Sequence, residues 1–593
     1  RRAKSCHRKT PYTGGLAVEE ETTLIRLATS SSSMRNLFRA LFVLFLAATV
    51  NAAPRPNILL ILIDDVGYSD LGCFGSAIHT PNVDSLAKQG VSFTQFYNNA
   101  RCCPTRASLL TGLYAHQAGV GHMTWADNGY DGYRGLLNNH CATIAEVLKA
   151  DGYRTYMAGK WHITSADKVN SDRAQWPVQR GFEKFYGTIK GSGSYFDPVS
   201  LCRQNKFITP ENDPEYKPQQ FYYTDAMSDN AVKYLQAHHT ESPDKPFFMY
   251  VAYTAAHWPM QALDKDIAKY KGKFDTGYEP ERQARIKRLK ELGLMDASWD
   301  PAPTVGNWND VKKKKIEARF MEVYAAMLDN MDQGVGRIIG ELKKENRFDN
   351  TLIFFLQDNG ACAEDTGRRP VKKTPQPKLK PMKADELQIA QPRQTRDGRL
   401  VRKGPGVMSG GDDTFIAYGE YWANVSNTPF REYKHWVHEG GISTPLIVHW
   451  PSGIPKERDG KLERQPGHLI DIMATCVDVA GAKYPAELKG NKIKPMQGVS
   501  LVPALAGKDL NRKGPMFWEH ESNRAVRDGK WKLVAKADQL WELYDMEKDR
   551  TEMHDLAKTH PEVVNDLTAK WDAWAARSDV LPLGAWKGKH GPE

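Results

Sequence analysis

Cys102 leads the run Cys102-Cys103-Pro104-Thr105-Arg106-Ala107-Ser108-Leu109-Leu110-Thr111-Gly112. Proline suits the first turn of a helix, where its missing N–H is one of the unpaired donors anyway. That places Cys102 at or just before a helix N-terminus, where free N–H groups favour anions and lower a thiol pKa. Arg106 follows four residues later, about one turn on, so it shares a face with Cys102. Asp64-Asp65 and Asp358-Asn359 each close an apolar run. Four oxygen donors, three of them carboxylates, suit a hard cation, calcium or magnesium. His162 and His257 offer imidazoles whose pKa near neutrality suits proton transfer. A lone lysine is normally a solvated surface charge; Lys160 and Lys434 are of interest because of the residues around them.

These groups need elements to position them. Asn57 to Ile63 is apolar almost without alternation, as in a strand buried on both faces of a parallel sheet. Phe247 to Tyr253, Thr351 to Leu356 and Pro445 to Trp450 repeat the pattern. Helical patterns fall between them at Asn82 to Lys88, Thr143 to Lys149, Thr224 to Gln236, Lys315 to Lys344 and His468 to Val479. Alternating strands and helices predict an α/β fold with a large, mainly parallel sheet. Ligands bind at the carboxyl ends of such strands, where three of the polar clusters fall. From about Lys513 the texture changes to short strands at Pro515 to His520, Asn523 to Arg527, Lys530 to Ala535 and Leu540 to Tyr544. These predict a small antiparallel sheet, with Pro561 to Arg577 as an amphipathic helix over one face.

The motifs resemble the sulfatase family: Cys-x-Pro-x-Arg followed closely by Thr-Gly, then Gly159-Lys160-Trp161-His162, Gln357-Asp358-Asn359-Gly360 and Glu439-Gly440-Gly441. Thr80 to Ala87 and Leu543-Tyr544-Asp545 also match, in the family's order, so the resemblance runs from Asn57 to about Ala557. Thr105 stands where the family often has Ser. The resemblance implies the alkaline-phosphatase-like fold, a large mixed sheet flanked by helices plus a smaller C-terminal domain. It implies that a formylglycine-generating enzyme oxidises Cys102 to formylglycine before folding, and that one hydroxyl of the hydrate attacks the sulfur of a sulfate ester. Asp64, Asp65, Cys102, Asp358 and Asn359 would hold Ca2+, with Mg2+ not excluded. Arg106 would hold the hydrate and the metal-side carboxylates. Lys160 would steady the formylglycine oxygen, and Lys434 would bind a sulfate oxygen. His162 would take the proton from the second hydroxyl, and His257 would protonate the departing alkoxide. The substrate would be an aryl or carbohydrate sulfate. Two rivals remain open: a phosphonate or phosphate-ester hydrolase of the same superfamily, and a non-catalytic binder of sulfated glycans.

The rest of the chain sets bounds. The formal charge is +10 over 593 residues, and eight Lys or Arg against three acidic residues lie in 1–53, which leaves +5 beyond them. That mild bias, with no finger or basic recognition helix, excludes a nucleic-acid reader. Met34, Arg35, Arg39, the apolar run Ala40 to Val50 and Asn51-Ala52-Ala53 read as a signal peptide over 34–53. Residues 1–33 are then an upstream extension outside the fold. The expected organisation is a catalytic domain over 54–512 and a C-terminal subdomain over 513–593. The expected location is secreted or periplasmic, without a stable membrane span. The eight cysteines form no metal or disulfide framework; Cys141 with Cys202 is one conceivable pair. Glu364 to Gly404, with a dozen Lys or Arg, reads as a basic surface insertion. Asn424-Val425-Ser426 is a glycosylation sequon. Trp518 to Glu521 and Arg524 read as ordinary strand residues, and His79, His116, His122 and His140 carry no supporting motif.

Overall fold

Strand β1 (Asn57–Ile63) is apolar at nearly every position because both its faces are covered. Leu59, Ile61 and Ile63 point into one core with the long helix α6 (Lys314–Lys344), while Ile58, Leu60 and Leu62 point into a second core. That second core holds helices α2 (Cys102–Thr111) and α7 (Ile470–Ala480). A strand with two covered faces has no solvent side on which to place polar residues. The computed structural model describes residues 55–125, 127, 129–164, 173–370 and 379–587. The segments expected to be a signal peptide (34–53) and an upstream extension (1–33) lie outside the described residues.

The ten-stranded sheet also contains β2 (Val91–Phe93), β3 (Arg154–Gly159), β4 (Lys184–Thr188), β5 (Leu201–Arg203), β6 (Lys206–Phe207), β7 (Phe247–Ala252), β8 (Thr351–Gln357), β9 (Leu446–His449) and β10 (Lys461–Glu463). Their order is β10-β2-β9-β8-β1-β7-β3-β4-β5-β6. β8, β1, β7, β3 and β4 run parallel; β9 runs against β8 and β2. Helices α1 (Pro81–Lys88), α4 (Tyr223–Glu241) and α6 pack on one face, and α2, α3 (Ile144–Ala150) and α7 on the other. A further helix, α5 (Tyr278–Glu291), adds Ile286 and Leu289 to the first core.

The second sheet is antiparallel, β11 (Met516–His520), β12 (Asn523–Asp528), β13 (Trp531–Ala535) and β14 (Glu542–Asp545). Alternation again sorts its side chains. Phe517, Val526, Leu533 and Leu543 meet Leu567, Trp571 and Trp574 of α8 (Pro561–Arg577), and Phe517 stacks on Trp574. Met516, Trp518, Ala525, Val534 and Tyr544 face Tyr97, Ala100, Val437 and Ile442 of the large part. A buried ionic network crosses the same seam. Glu439 accepts from Lys532 at 2.8 Å, Arg550 at 3.1 Å and Tyr97 at 3.1 Å, and Lys532 also pairs with Glu552 at 2.8 Å.

Three expectations need correction. Cys141 and Cys202 are separate free thiols, donating to the carbonyls of Asn138 and Ser200. Asn424 is buried in a short helix, Glu420–Ser426, where its amide donates to Pro303 and accepts from Val305, so no glycan fits there in the folded chain. The basic insertion does not begin at Glu364, whose carboxylate turns inward as described below; its stretch 379–404 is tied down by Arg396–Asp197 and Arg399–Asp412.

Removing one member of a fully buried charge pair strands its partner, at a cost of about 3–5 kcal/mol. Lys532→Met leaves Glu439 and Glu552 short of a cation. It is expected to lower the urea midpoint by a corresponding amount, and an unchanged midpoint would show that the seam does not depend on this network.

Candidate active site

Four neighbouring parallel strands, β8, β1, β7 and β3, deliver most of the polar groups from their carboxyl ends. β8 ends at Asp358-Asn359 and β1 at Asp64-Asp65. β7 leads to His257, and β3 to Lys160 and His162. Helix α2 points its first turn at the same place. Cys102 is its first residue and Arg106 lies one turn on, as the spacing predicts. The loop before Glu439 brings Lys434.

Arg106 is completely buried. Its Nη2 donates to Asp64 Oδ2 at 3.0 Å and to Asp358 Oδ2 at 2.9 Å, and its Nη1 donates to the Lys160 carbonyl at 3.1 Å. Lys160 Nζ lies 2.5 Å from Asp64 Oδ2. Lys434 Nζ lies 3.0 Å from Asp65 Oδ2, and Asn359 Nδ2 donates to Asp65 Oδ1 at 2.7 Å. Burial and the neighbouring Asp64 push the Asp358 carboxyl well above the usual range, despite Arg106 and Lys160. Burial works against the charge on Lys434, but Asp65 holds its pKa well up.

Two buried acceptors, Asp64 Oδ1 and Asn359 Oδ1, have no donor. Unsatisfied acceptors at this depth are costly. A hard cation between the ends of β1 and β8 would satisfy both, and the all-oxygen donor set is the one calcium takes.

Cys102 faces Lys160 and His162. Its thiol is held well below the ordinary value by a hydrogen bond from Cys103, and by Lys160 and His162, against the effect of burial. Burial pushes Cys103 the other way. Burial lowers His162 to about 4, so its imidazole is neutral near pH 7. His257 Nδ1 lies 2.7 Å from the Trp258 carbonyl. A carbonyl only accepts, so Nδ1 carries a proton and Nε2 is the nitrogen left to exchange one. That Nε2 faces Lys434 Nζ at 3.5 Å.

The sequence-predicted residues Asp64, Asp65, Cys102, Arg106, Lys160, His162, His257, Asp358, Asn359 and Lys434 therefore meet around one point. Other residues escaped the sequence reading. Glu364 Oε1 lies 3.8 Å from Lys434 Nζ and 3.0 Å from His435 Nε2, and its Oε2 accepts from Trp258 Nε1 at 2.6 Å. Despite burial, Lys434 and His435 hold its pKa far below the carboxylate range. Glu521, at the β11–β12 turn, accepts from Arg101 at 2.5 Å and lies 2.8 Å from His435 Nδ1. Trp518, Glu519 and Arg524 are ordinary: they contact the Asn98 carbonyl, His116 and the Trp541 ring.

Two close approaches require glycine. A Cβ on Gly360 would lie 1.7 Å from the Gly440 carbonyl oxygen, so these glycines let the Lys434 loop dock against the end of β8. A Cβ on Gly191 would lie 2.0 Å from His162 Cε1.

A carboxylate cluster at the mouth of a parallel sheet, faced by a buried helix-end thiol, two lysines and two imidazoles, is an arrangement suited to anionic esters. The family model "Sulfatase" matches residues 56–482, and the model "N-sulphoglucosamine sulphohydrolase, C-terminal" matches 432–576. An uncharacterized sulfatase of Schizosaccharomyces pombe is 32% identical over 558 residues, covering 89% of this chain and 94% of that protein. An arylsulfatase of Klebsiella aerogenes is 33% identical over 487 residues, covering 80% of this chain and 97% of its own. Among solved structures, Ps i-CgsB in complex with k-i-k-neocarrahexaose has a TM-score of 0.59 at 24% identity, over 90% of this chain and 100% of that one. A phosphonate monoester hydrolase of Agrobacterium radiobacter has a TM-score of 0.52 at 20% identity, over 88% and 96%. The chain belongs to the sulfatase family and is a sulfuric ester hydrolase.

Gly191→Ala is expected to displace the His162 ring while leaving the fold intact. Misplacing one reacting group by about 1 Å costs on the order of 10²-fold in rate. Steady-state turnover of an aryl sulfate, with circular dichroism as the folding control, reads this directly; unchanged turnover would mean that the position of His162 is not critical.

Proposed function

We propose that this enzyme hydrolyses a sulfate monoester, of an aryl alcohol or a carbohydrate, through residue 102 in its formylglycine form, and that it acts as a secreted or periplasmic protein. The 34–53 segment would serve as its signal peptide, 54–512 as the catalytic domain and 513–593 as the C-terminal subdomain. The observation that carries the reading is the position of Cys102. It starts a buried helix, its thiol within 4.8 Å of a His162 ring nitrogen and facing Lys160, beside the Asp64, Asp65, Asp358 and Asn359 cluster.

Converted from Cys102 by a formylglycine-generating enzyme, formylglycine would supply an aldehyde hydrate: one hydroxyl would be the nucleophile toward sulfur as the ester S–O bond breaks, and deprotonation of the other would break the bond from carbon to the sulfate oxygen and return the aldehyde, which water rehydrates. Calcium, which Asp64, Asp65, residue 102, Asp358 and Asn359 would hold, would supply Lewis-acid stabilisation of the bound anion. The other residues bind, orient and move protons. Arg106 fixes Asp64 and Asp358 and lends positive charge to the oxygen on residue 102. Lys160 steadies that oxygen. His162, neutral near pH 7, takes the proton from the second hydroxyl. Lys434 binds a sulfate oxygen on the leaving-group side. His257, its Nδ1–H anchored on Trp258, presents Nε2 to the departing oxygen and, in its doubly protonated form, delivers the Nε2 proton there.

The same array would accept tetrahedral phosphorus, the reading to which the fold shared with a phosphonate monoester hydrolase lends support. A glycan binder without turnover is disfavoured because every catalytic position carries a competent group.

The test is the mass of the Cys102 peptide from protein made in its own host, with turnover of matched aryl sulfate and aryl phosphate esters. The expected result is the aldehyde mass, trapping by a hydrazine reagent and preference for sulfate. An intact thiol with no sulfate ester cleaved would sink the mechanism, and preference for phosphate would move the enzyme to its rival class. Chelation with EGTA is expected to abolish turnover and calcium to restore it; full activity after exhaustive chelation would contradict the assigned cation.

A further inference from the structure

A second cluster lies outside the catalytic residues. His122 is 2% exposed and His520 is 0% exposed, and among the described residues all four of their ring nitrogens lack a hydrogen-bond partner. Buried polar atoms are nearly always paired, so two imidazoles without a hydrogen bond at one place are unusual; His520 Nε2 has only Glu521 Oε1, at 3.6 Å. Their rings lie 5.4 Å apart, centroid to centroid. Glu521 stands beside them. A ring nitrogen from each histidine and a Glu521 carboxylate oxygen all lie within 4.8 Å of one another.

The surroundings hold the three side chains in place. His520 ends β11, and Glu521 and Ser522 form the turn into β12, both with positive φ, 54° and 66°. Non-glycine residues seldom adopt that conformation; here it turns the Glu521 side chain toward the cluster. Arg101 and His435 bind the Glu521 carboxylate at 2.5 and 2.8 Å and fix its orientation. Trp125 and Trp586 pack against His122 at 5.3 and 4.8 Å. Burial pushes both imidazoles down, His122 to about 3, which leaves them in the neutral form that binds metals.

The chemistry of the donors selects the ligand. The ring nitrogens are shut off from solvent, so a sugar or other bulky group does not reach them, whereas a bare ion does. Two imidazoles with one carboxylate form a donor set for a borderline transition cation, in contrast to the all-oxygen set of the catalytic cluster. The anionic Glu521 and nearby Glu364 offset the positive charge of Arg101.

We propose that His122, His520 and Glu521 form a second metal site, for a divalent cation of the zinc type, which pins the β11–β12 hairpin to the loop at His122. The ion stands apart from the sulfate chemistry. It fixes Glu521, and through it Arg101 and His435, the chain neighbours of Cys102 and Lys434.

The experiment uses the full chain, free of any tag. After chelation and dialysis the protein is titrated with Zn2+ alone, and bound metal is counted by plasma mass spectrometry. One zinc per chain is expected to remain bound, and to be lost in both His122→Ala and His520→Asn. Co2+ loaded into the wild-type chain is expected to give the visible bands of a nitrogen-ligated, four- or five-coordinate site, a readout that needs no variant to fold. A wild-type chain that retains no zinc and shows no cobalt bands would overturn the proposal. So would zinc stoichiometry unchanged in two folded histidine variants.

Discussion

One guanidinium ties the catalytic architecture together. Arg106 reaches from helix α2 to carboxylates at the ends of β1 and β8 and to the backbone after β3, all without contact with water. Asp64, Asp65 and Asp358 would otherwise repel one another in a medium that screens charge poorly. Arg106, Lys160 and Lys434 match them three against three, and Glu364 beside Lys434 is met in addition by Arg101. The balance is close to neutral, so adding a divalent cation makes the pocket positive. That excess suits a singly charged ester together with an anionic nucleophile. A buried arginine serves better here than a lysine, because its planar fork spans two carboxylates at once.

The large sheet and the small one divide the work. Parallel strands set the spacing of the reacting groups, since each strand end is fixed by its neighbours' hydrogen bonds. The small sheet contributes from outside, through Lys532 on Glu439 and Glu521 on Arg101 and His435. Glu439 opens the Gly440-Gly441 contact with Gly360 that seats the Lys434 loop. The C-terminal part therefore helps to shape the anion site from behind.

Much of this was readable from the chain, for identifiable reasons. β1, β7 and β8 are long apolar runs because they are buried on both faces, and the helices between them keep a clear apolar stripe. β3 (Arg154–Gly159) and β4 (Lys184–Thr188) carry polar or aromatic residues at their starts and gave no such signal. Lys160 and His162 were found by motif rather than by strand pattern. Glu364 was taken for the start of a basic insertion because its local composition is basic; its orientation is set by Lys434 and His435, about 70 positions away. Arg101 and Glu521 are 420 residues apart, and no local pattern links them. The described cysteines are mostly buried free thiols, and Cys141 with Cys202 was no more than a conceivable pair because spacing carries no information on where each thiol faces.

The depth of Cys102 gives folding a role in timing. At 1% exposure it is closed to any enzyme once the chain has folded. On the proposed maturation route, residue 102 must be oxidised while its helix is still open. The hairpin carrying Glu521, which clamps neighbouring Arg101, is made some 420 residues later. At synthesis rates of about 5–20 residues per second, that separation is on the order of 20–80 seconds. Sequence distance here works as a clock: the clamp cannot form until long after the modifying enzyme has had its turn.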